Sequence, residues 1–290
     1  MNARIRGIFE DAGVRGWMHA ISLDDPEARV ELDADVVVPL ASVYKLPLLA
    51  GFSRLVDLGE LDPREQVTLE PSSRTAGPTG LSMFADPVTV SLRDLALSMA
   101  TVSDNAAADA LLDIVGLRRL AGILESFGLR RTWVRRGTAA NLRDLQRRTG
   151  ADNADAALAV LADNDRTDPV GVYEAASGSA ASARDLTLLL RRLWAGELLS
   201  AEQTEFVKAT MHRQIFLQRV ASGFPHDGVR IAGKTGTFGA LRHEAAVVTL
   251  PDGAAFAIAI LTLAARGDFR QPRVEAAIGE AARVAVDVLR

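Results

Sequence analysis

The apolar residues of this chain repeat with two different periods, and the places where the period changes constrain its fold most. Residues 17–23 alternate apolar and polar as a strand does, ahead of a turn at Asp24, Asp25 and Pro26. Residues 30–38 read as a second extended segment. From Ser42 to about Leu199 the spacing becomes three and four residues, as in helices over 92–100, 105–115, 117–127 and 183–193. Ser91 and Ser182 are suited to cap helix starts, and Gly59, Gly116 and Gly128 to stop helices. Strand periodicity then returns at 229–232, 243–250 and 254–262, with Pro251-Asp252-Gly253 as a turn. A helix precedes the first strand, and another closes the chain over 272–289.

Strands at both ends with helices between them predict an α/β (α+β) fold. The terminal strands join into one antiparallel sheet, terminal helices cover one face, and an inserted helical domain covers the other. The expected division is 1–41 with 206–290 for the sheet domain and 42–205 for the helical domain, with a site in the cleft between them. A chain of 290 residues, 48% apolar and 24% charged, has ample material for such a core.

Several function classes fall away. Cysteine is absent, which excludes disulfides, thiol nucleophiles and thiolate metal sites. The four histidines, His19, His212, His226 and His243, have no metal-ligand spacing, so no metal and no cofactor is expected. The net charge of -4 gives no pull towards nucleic acid. Arginines between 118 and 148 read as a solvated helix face and loop. No run of 18 apolar residues suggests a membrane span. The first residues have helical spacing rather than that of a secretion leader, which fits a cytoplasmic protein or a secreted one whose leader has been removed.

Three short motifs carry chemistry. In Ser42-Val43-Tyr44-Lys45 the lysine follows the serine by one helical turn, close enough to take its proton if burial or a neighbouring cation lowers the amine's pKa. Ser103-Asp104-Asn105 lies between two helices and, read alone, is a helix cap. Lys234-Thr235-Gly236-Thr237 ends a strand, where Gly236 would allow a ligand close to the backbone. The chain has only three lysines, Lys45, Lys208 and Lys234, among 33 basic residues, and two of them fall inside these motifs. Arg242, six residues past Gly236, is expected on the next strand facing the cleft, where its guanidinium fork would suit a carboxylate.

Together, in this order, the three motifs resemble the set found in class A β-lactamases and penicillin-binding serine hydrolases. Flanking text is similar too, including residues 57–62, 92–95 and 196–200. The resemblance implies the β-lactamase/transpeptidase-like fold with a five-stranded sheet. It implies a β-lactam or acyl-peptide substrate and an acyl-enzyme on Ser42, with hydrolysis of β-lactam rings as the first reading. A DD-peptidase or esterase, or a covalent β-lactam or muropeptide sensor, is the alternative. By the same resemblance Lys45 accepts the serine proton and Ser103 passes a proton to the leaving nitrogen. Lys234 keeps the site positive and depresses the pKa of Lys45. Asn105 orients the substrate amide, Thr235 and Thr237 bind its carboxylate, and the backbone N–H groups of Ser42 and Thr237 hold the oxyanion.

One departure stands out. Class A enzymes carry a deacylating glutamate in a loop patterned Glu-x-x-Leu-Asn. Here the corresponding text is Gly137-Thr138-Ala139-Ala140-Asn141, so Asn141 matches the asparagine while Gly137 replaces the acid. The step from Ser103 to Lys234 is longer than in that family, with the excess around residues 143–177. Glu174 or Asp144 could be supplied from that stretch. Acylation is therefore better supported than turnover.

Overall fold

The computed structural model describes residues 2–25, 27–165 and 171–290. The turn residue Pro26 and positions 166–170 of the longer insertion lie outside the described residues.

In chain order, α1 (Asn2–Asp11) leads into β1 (Val14–Ser22), β2 (Arg29–Leu32) and the short β3 (Val37–Pro39). The extended segment expected over 30–38 is thus two strands. Asp33, at φ +47°, breaks it with a left-handed turn. A 3₁₀ turn, Ala41–Tyr44, then runs into α2 (Lys45–Asp57). Two short strands, β4 (Gln66–Leu69) and β5 (Val88–Ser91), precede α3 (Leu92–Thr101), α4 (Asn105–Val115) and α5 (Leu117–Ser126). Next come β6 (Thr132–Trp133), α6 (Thr138–Thr149), α7 (Ala154–Ala162), β7 (Ala180–Ser182), α8 (Ala183–Trp194) and α9 (Ala201–His212). The chain ends with β8 (Arg230–Phe238), β9 (Leu241–Thr249), β10 (Ala255–Ala264) and α10 (Pro272–Leu289).

Helix boundaries follow the punctuation. Ser91 and Ser182 accept the backbone N–H groups of Asp94 and Asp185, and so satisfy donors that a helix start leaves free. Gly59, Gly116 and Gly128 all have positive φ at helix ends.

Five strands form one antiparallel sheet in the order β2-β1-β10-β9-β8, which joins the two ends of the chain as expected. Alternation sorts its side chains. Met18, Ala20, Val248, Ile258 and Ile260 pack with Ile5 and Phe9 of α1 and with Val274, Ile278 and Ala281 of α10. Trp17, Ile21, Ala245, Val247, Ala257 and Leu261 pack on the opposite face with the helical core. β8 is the sheet's edge, and it faces the 3₁₀ turn that carries Ser42. It is longer than the strand expected at 229–232, so the Lys234 motif lies within the strand and not beyond its end.

Candidate active site

Two of the three non-glycine residues with positive φ among those described lie at the motifs: Ala41 (φ +45°), directly before Ser42, and Ser103 (φ +58°). Left-handed backbone at such residues persists only where surrounding contacts hold it, and it clusters at functional sites. Ala41 starts the 3₁₀ turn, so Ser42 sits in the turn directly ahead of α2. Pro47 falls within the opening turn of α2, where no intrahelical N–H is lost.

Lys45 is fully buried at the start of α2. Its Nζ donates to the Ser103 carbonyl (2.7 Å), to Asn105 Oδ1 (2.8 Å) and to Ser103 Oγ (3.4 Å). Lys234, also buried, donates from β8 to the same Ser103 Oγ (3.0 Å) and to the Thr235 carbonyl (2.8 Å). Two amines 189 positions apart therefore converge on one hydroxyl. Burial brings the pKa of Lys45 down to about 7, while Asp104 and Asp109 oppose the fall. Lys234 is lowered well below its ordinary value, first by burial and then by the charge of Lys45. Burial is the largest cause at both amines, and the charge on either one disfavours charging the other.

The second motif is rigid because Asp104 has no spare valence. Its buried carboxylate accepts the N–H groups of Leu81, Ala106 and Ala107 and the hydroxyls of Ser82 and Ser98. It caps α4 and pins the loop that presents Ser103 and Asn105. Asn105 spans the cleft wall, taking a bond from Lys45 and giving one to the Ala76 carbonyl (3.0 Å).

Gly236 is packed closely against the backbone that leads into Ser42. A Cβ there would lie 2.7 Å from the Leu40 carbonyl and 3.0 Å from the Val43 nitrogen. The glycine lets β8 close on the turn that carries Ser42. Thr235 is buried and Thr237 is exposed on the same edge strand.

Arg242 is a correction. It sits opposite Thr237 in the sheet, as the spacing implied, yet it is only 1% exposed. Its guanidinium donates to the carbonyls of Gly239, Leu241, Asp268 and Phe269, between 2.6 and 2.9 Å. Those bonds brace the β8–β9 turn against the loop before α10 and turn the guanidinium away from anchor duty. The cation that touches the third motif is Arg219, which sequence reasoning missed. It donates to the Gly236 carbonyl (2.8 Å), the His243 carbonyl (2.7 Å) and Thr237 Oγ1 (2.6 Å), and pairs with Glu275. No local pattern marked it, since it lies in an irregular segment 15 positions before Lys234.

The wall where a deacylating acid would stand is built differently. Gly137 precedes α6, and a Cβ on it would lie 2.0 Å from Asp109 Oδ1. Asp109 accepts the N–H groups of Thr138 and Ala139, each at 2.7 Å, and the Thr75 hydroxyl at 2.7 Å. Thr138, also missed from sequence, places Oγ1 3.2 Å from the Tyr44 hydroxyl and 3.5 Å from Asn105 Oδ1. Asn141 lies one turn on, half-buried, with its amide oxygen facing Gly178. Glu174 is exposed and starts a short 3₁₀ turn. Asp144 pairs with Arg136, Arg147 and Arg148. The structure brings neither acid to the Lys45–Ser103–Lys234 cluster.

With this geometry in place, comparison with known proteins decides the family. A family profile described as the beta-lactamase enzyme family matches residues 1–289. The chain belongs to the beta-lactamase enzyme family. Within it, the protein is 33% identical over 305 residues to the beta-lactamase regulatory protein BlaB of Streptomyces cacaoi, covering 99% of this chain and 96% of that one. Its fold is that of a beta-lactamase from Sphaerobacter thermophilus, with a TM-score of 0.79, 22% identity, and 99% and 95% of the two chains covered. It also matches a mutant of PBP-A solved as an acyl-enzyme complex with penicillin G, with a TM-score of 0.77, 22% identity, and 99% and 96% coverage. The expected fold, a β-lactamase-like mixture of helices around a five-stranded antiparallel sheet, is therefore the observed one. Among the described residues no helix is long and apolar enough to cross a membrane, and no cluster of three or more His, Asp or Glu could hold a metal.

Proposed function

We propose that this protein is a covalent β-lactam receptor: Ser42 opens the ring and the acyl-enzyme persists. The neutral form of Lys45 takes the Ser42 proton as the hydroxyl attacks the ring carbonyl. The backbone N–H groups of Ser42 and Thr237 hold the oxyanion. Ser103, bonded to both amines, passes a proton to the departing ring nitrogen as the C–N bond breaks. Lys234 and Arg219 give the β8 edge its positive charge, so that Thr235 and Thr237 receive the ligand carboxylate. Asn105 orients the side-chain amide.

The observation that carries persistence is the packing of Gly137 on Asp109, which leaves no room for a side chain where the family's deacylating acid would start. Neighbouring carboxylates are no substitute. Asp104 takes five donors, Asp109 takes three, and Asp144 is held by arginines. Among the described residues, a water above the ester finds no spare carboxylate on this wall. The relative named as a regulatory protein favours the same reading, with ligand occupancy as the signal.

The test is a chromogenic cephalosporin in excess over the protein. A receptor releases close to one equivalent of colour and then slows to a near-flat line, and Ser42→Ala gives no burst. A linear rate with many turnovers per minute overturns persistence and restores the hydrolase reading.

A further inference from the structure

Behind β8, on the sheet face opposite Lys234, lies a buried acid that the proposed mechanism does not use. Glu244 stands opposite Thr235 in the β8–β9 register and is 1% exposed. Its Oε2 accepts the Val220 N–H at 2.8 Å, and its Oε1 accepts Gln214 Nε2 at 3.1 Å. Gln214 in turn accepts the Thr235 N–H at 2.6 Å. One carboxylate thus fastens both ends of residues 214–220, the segment that runs along the free edge of β8. Arg219 belongs to that segment, and its guanidinium reaches the Gly236 carbonyl and Thr237 Oγ1.

Space around the acid is matched to it. A Cβ on Gly233 would lie 2.4 Å from Glu244 Oε1 and 3.0 Å from Gln214 Nε2, so the strand must be bare there for the latch to close. The far end of the segment is equally tight. Residues 220–223 form a turn pressed on α10, where a Cβ on Gly223 would lie 2.1 Å from the Gly279 carbonyl. The segment is therefore fixed against α10 at one end, and Glu244 ties both of its ends to the sheet.

We propose that Glu244 is a positioning residue of the active site: by latching Gln214 and Val220 it sets where Arg219 and β8 hold Thr235 and Thr237, and so governs recognition of the ligand carboxylate. It acts through these residues and touches no ligand itself. The inference rests on the reading of β8 as the carboxylate-binding edge. A removed latch lets the segment and Arg219 drift, which weakens the noncovalent complex before acylation while the Ser42–Lys45–Ser103 chemistry stays in place.

The experiment compares wild type with Glu244→Gln and Gln214→Met, each checked for a cooperative thermal transition. Hydrogen exchange on the ligand-free proteins is the first readout. Faster exchange confined to peptides covering 214–220 and 234–238 supports the latch, and unchanged exchange there overturns it whether or not the protein reacts with penicillin. Acylation by benzylpenicillin and by its methyl ester is the second. The loss of this buried acceptor should raise the apparent dissociation constant for the acid by about tenfold and leave the limiting acylation rate and the ester's constants within about twofold. A fall in the limiting rate alone, or equal loss for acid and ester without faster exchange at 214–220, overturns the proposal. A segment that loosens with no preference between acid and ester places the fault in the carboxylate reading of β8.

Discussion

Two sides of the candidate site are built on opposite principles. Along one, Lys45, Ser103 and Lys234 bring two buried amines onto a single hydroxyl, at 3.4 and 3.0 Å. Burying two like charges is costly, and the cost appears as lowered pKa values on both amines. Along the other, Gly137, Asp109 and Thr138 form a cap in which the carboxylate already accepts three donors. The first wall stores unfavourable electrostatics that chemistry can use. The second is satisfied internally and has little to offer a water. On the proposed reading, a site built this way forms a covalent bond more readily than it breaks one.

The largest expected effect removes the first wall's purpose. Ser42→Ala should give no covalent adduct with any β-lactam, read as an unchanged intact mass. Lys45→Met keeps the serine but removes its base, and the acylation rate should fall by about 10²–10⁴-fold in stopped-flow experiments. The second wall is tested by giving it what it lacks. Thr138→Glu places an acid beside the Asn105–Lys45 bond and should shorten the adduct's lifetime by at least about tenfold, followed by mass spectrometry. Gly137→Ala should instead cost about 1–3 kcal/mol in a denaturant melt, because the new Cβ collides with Asp109. That pair separates a missing group from a filled space.

The pH profile sharpens the same contrast. Only the neutral amine of Lys45 accepts a proton, and its pKa is about 7. Acylation should therefore fall about tenfold per pH unit below 7 and level off above it. The persistence of the adduct should not follow that curve, since among the described residues no spare carboxylate on the second wall titrates with it. The smallest effect is expected from Arg242→Ala. The acylation constant should stay within about twofold while thermal stability drops, because the lost contacts are four carbonyls outside the cleft.

Much of the fold was legible because its signals are local. Ser91 and Ser182 cap where their positions suggest, and α10 occupies the span that its periodicity marks. The motif residues Ser42, Lys45, Ser103 and Lys234 could be picked out because their spacing and the scarcity of lysine are visible in one dimension. What escaped is long-range. Sequence placed Arg242 on the right strand but could not say that nearby carbonyls would absorb its guanidinium. Arg219 and Thr138 reach the site through folded contacts with β8 and α4 that leave no periodic trace. The break at Asp33 was hidden for a related reason, since a single left-handed residue does not alter hydrophobic patterning.

The most direct measurement is a time course of intact mass after brief exposure to benzylpenicillin and removal of the excess. An asymmetric acylating cleft predicts one added penicillin on Ser42 that survives for hours, with free protein returning slowly. Recovery of unmodified protein within seconds, with released penicilloate in solution, would contradict it.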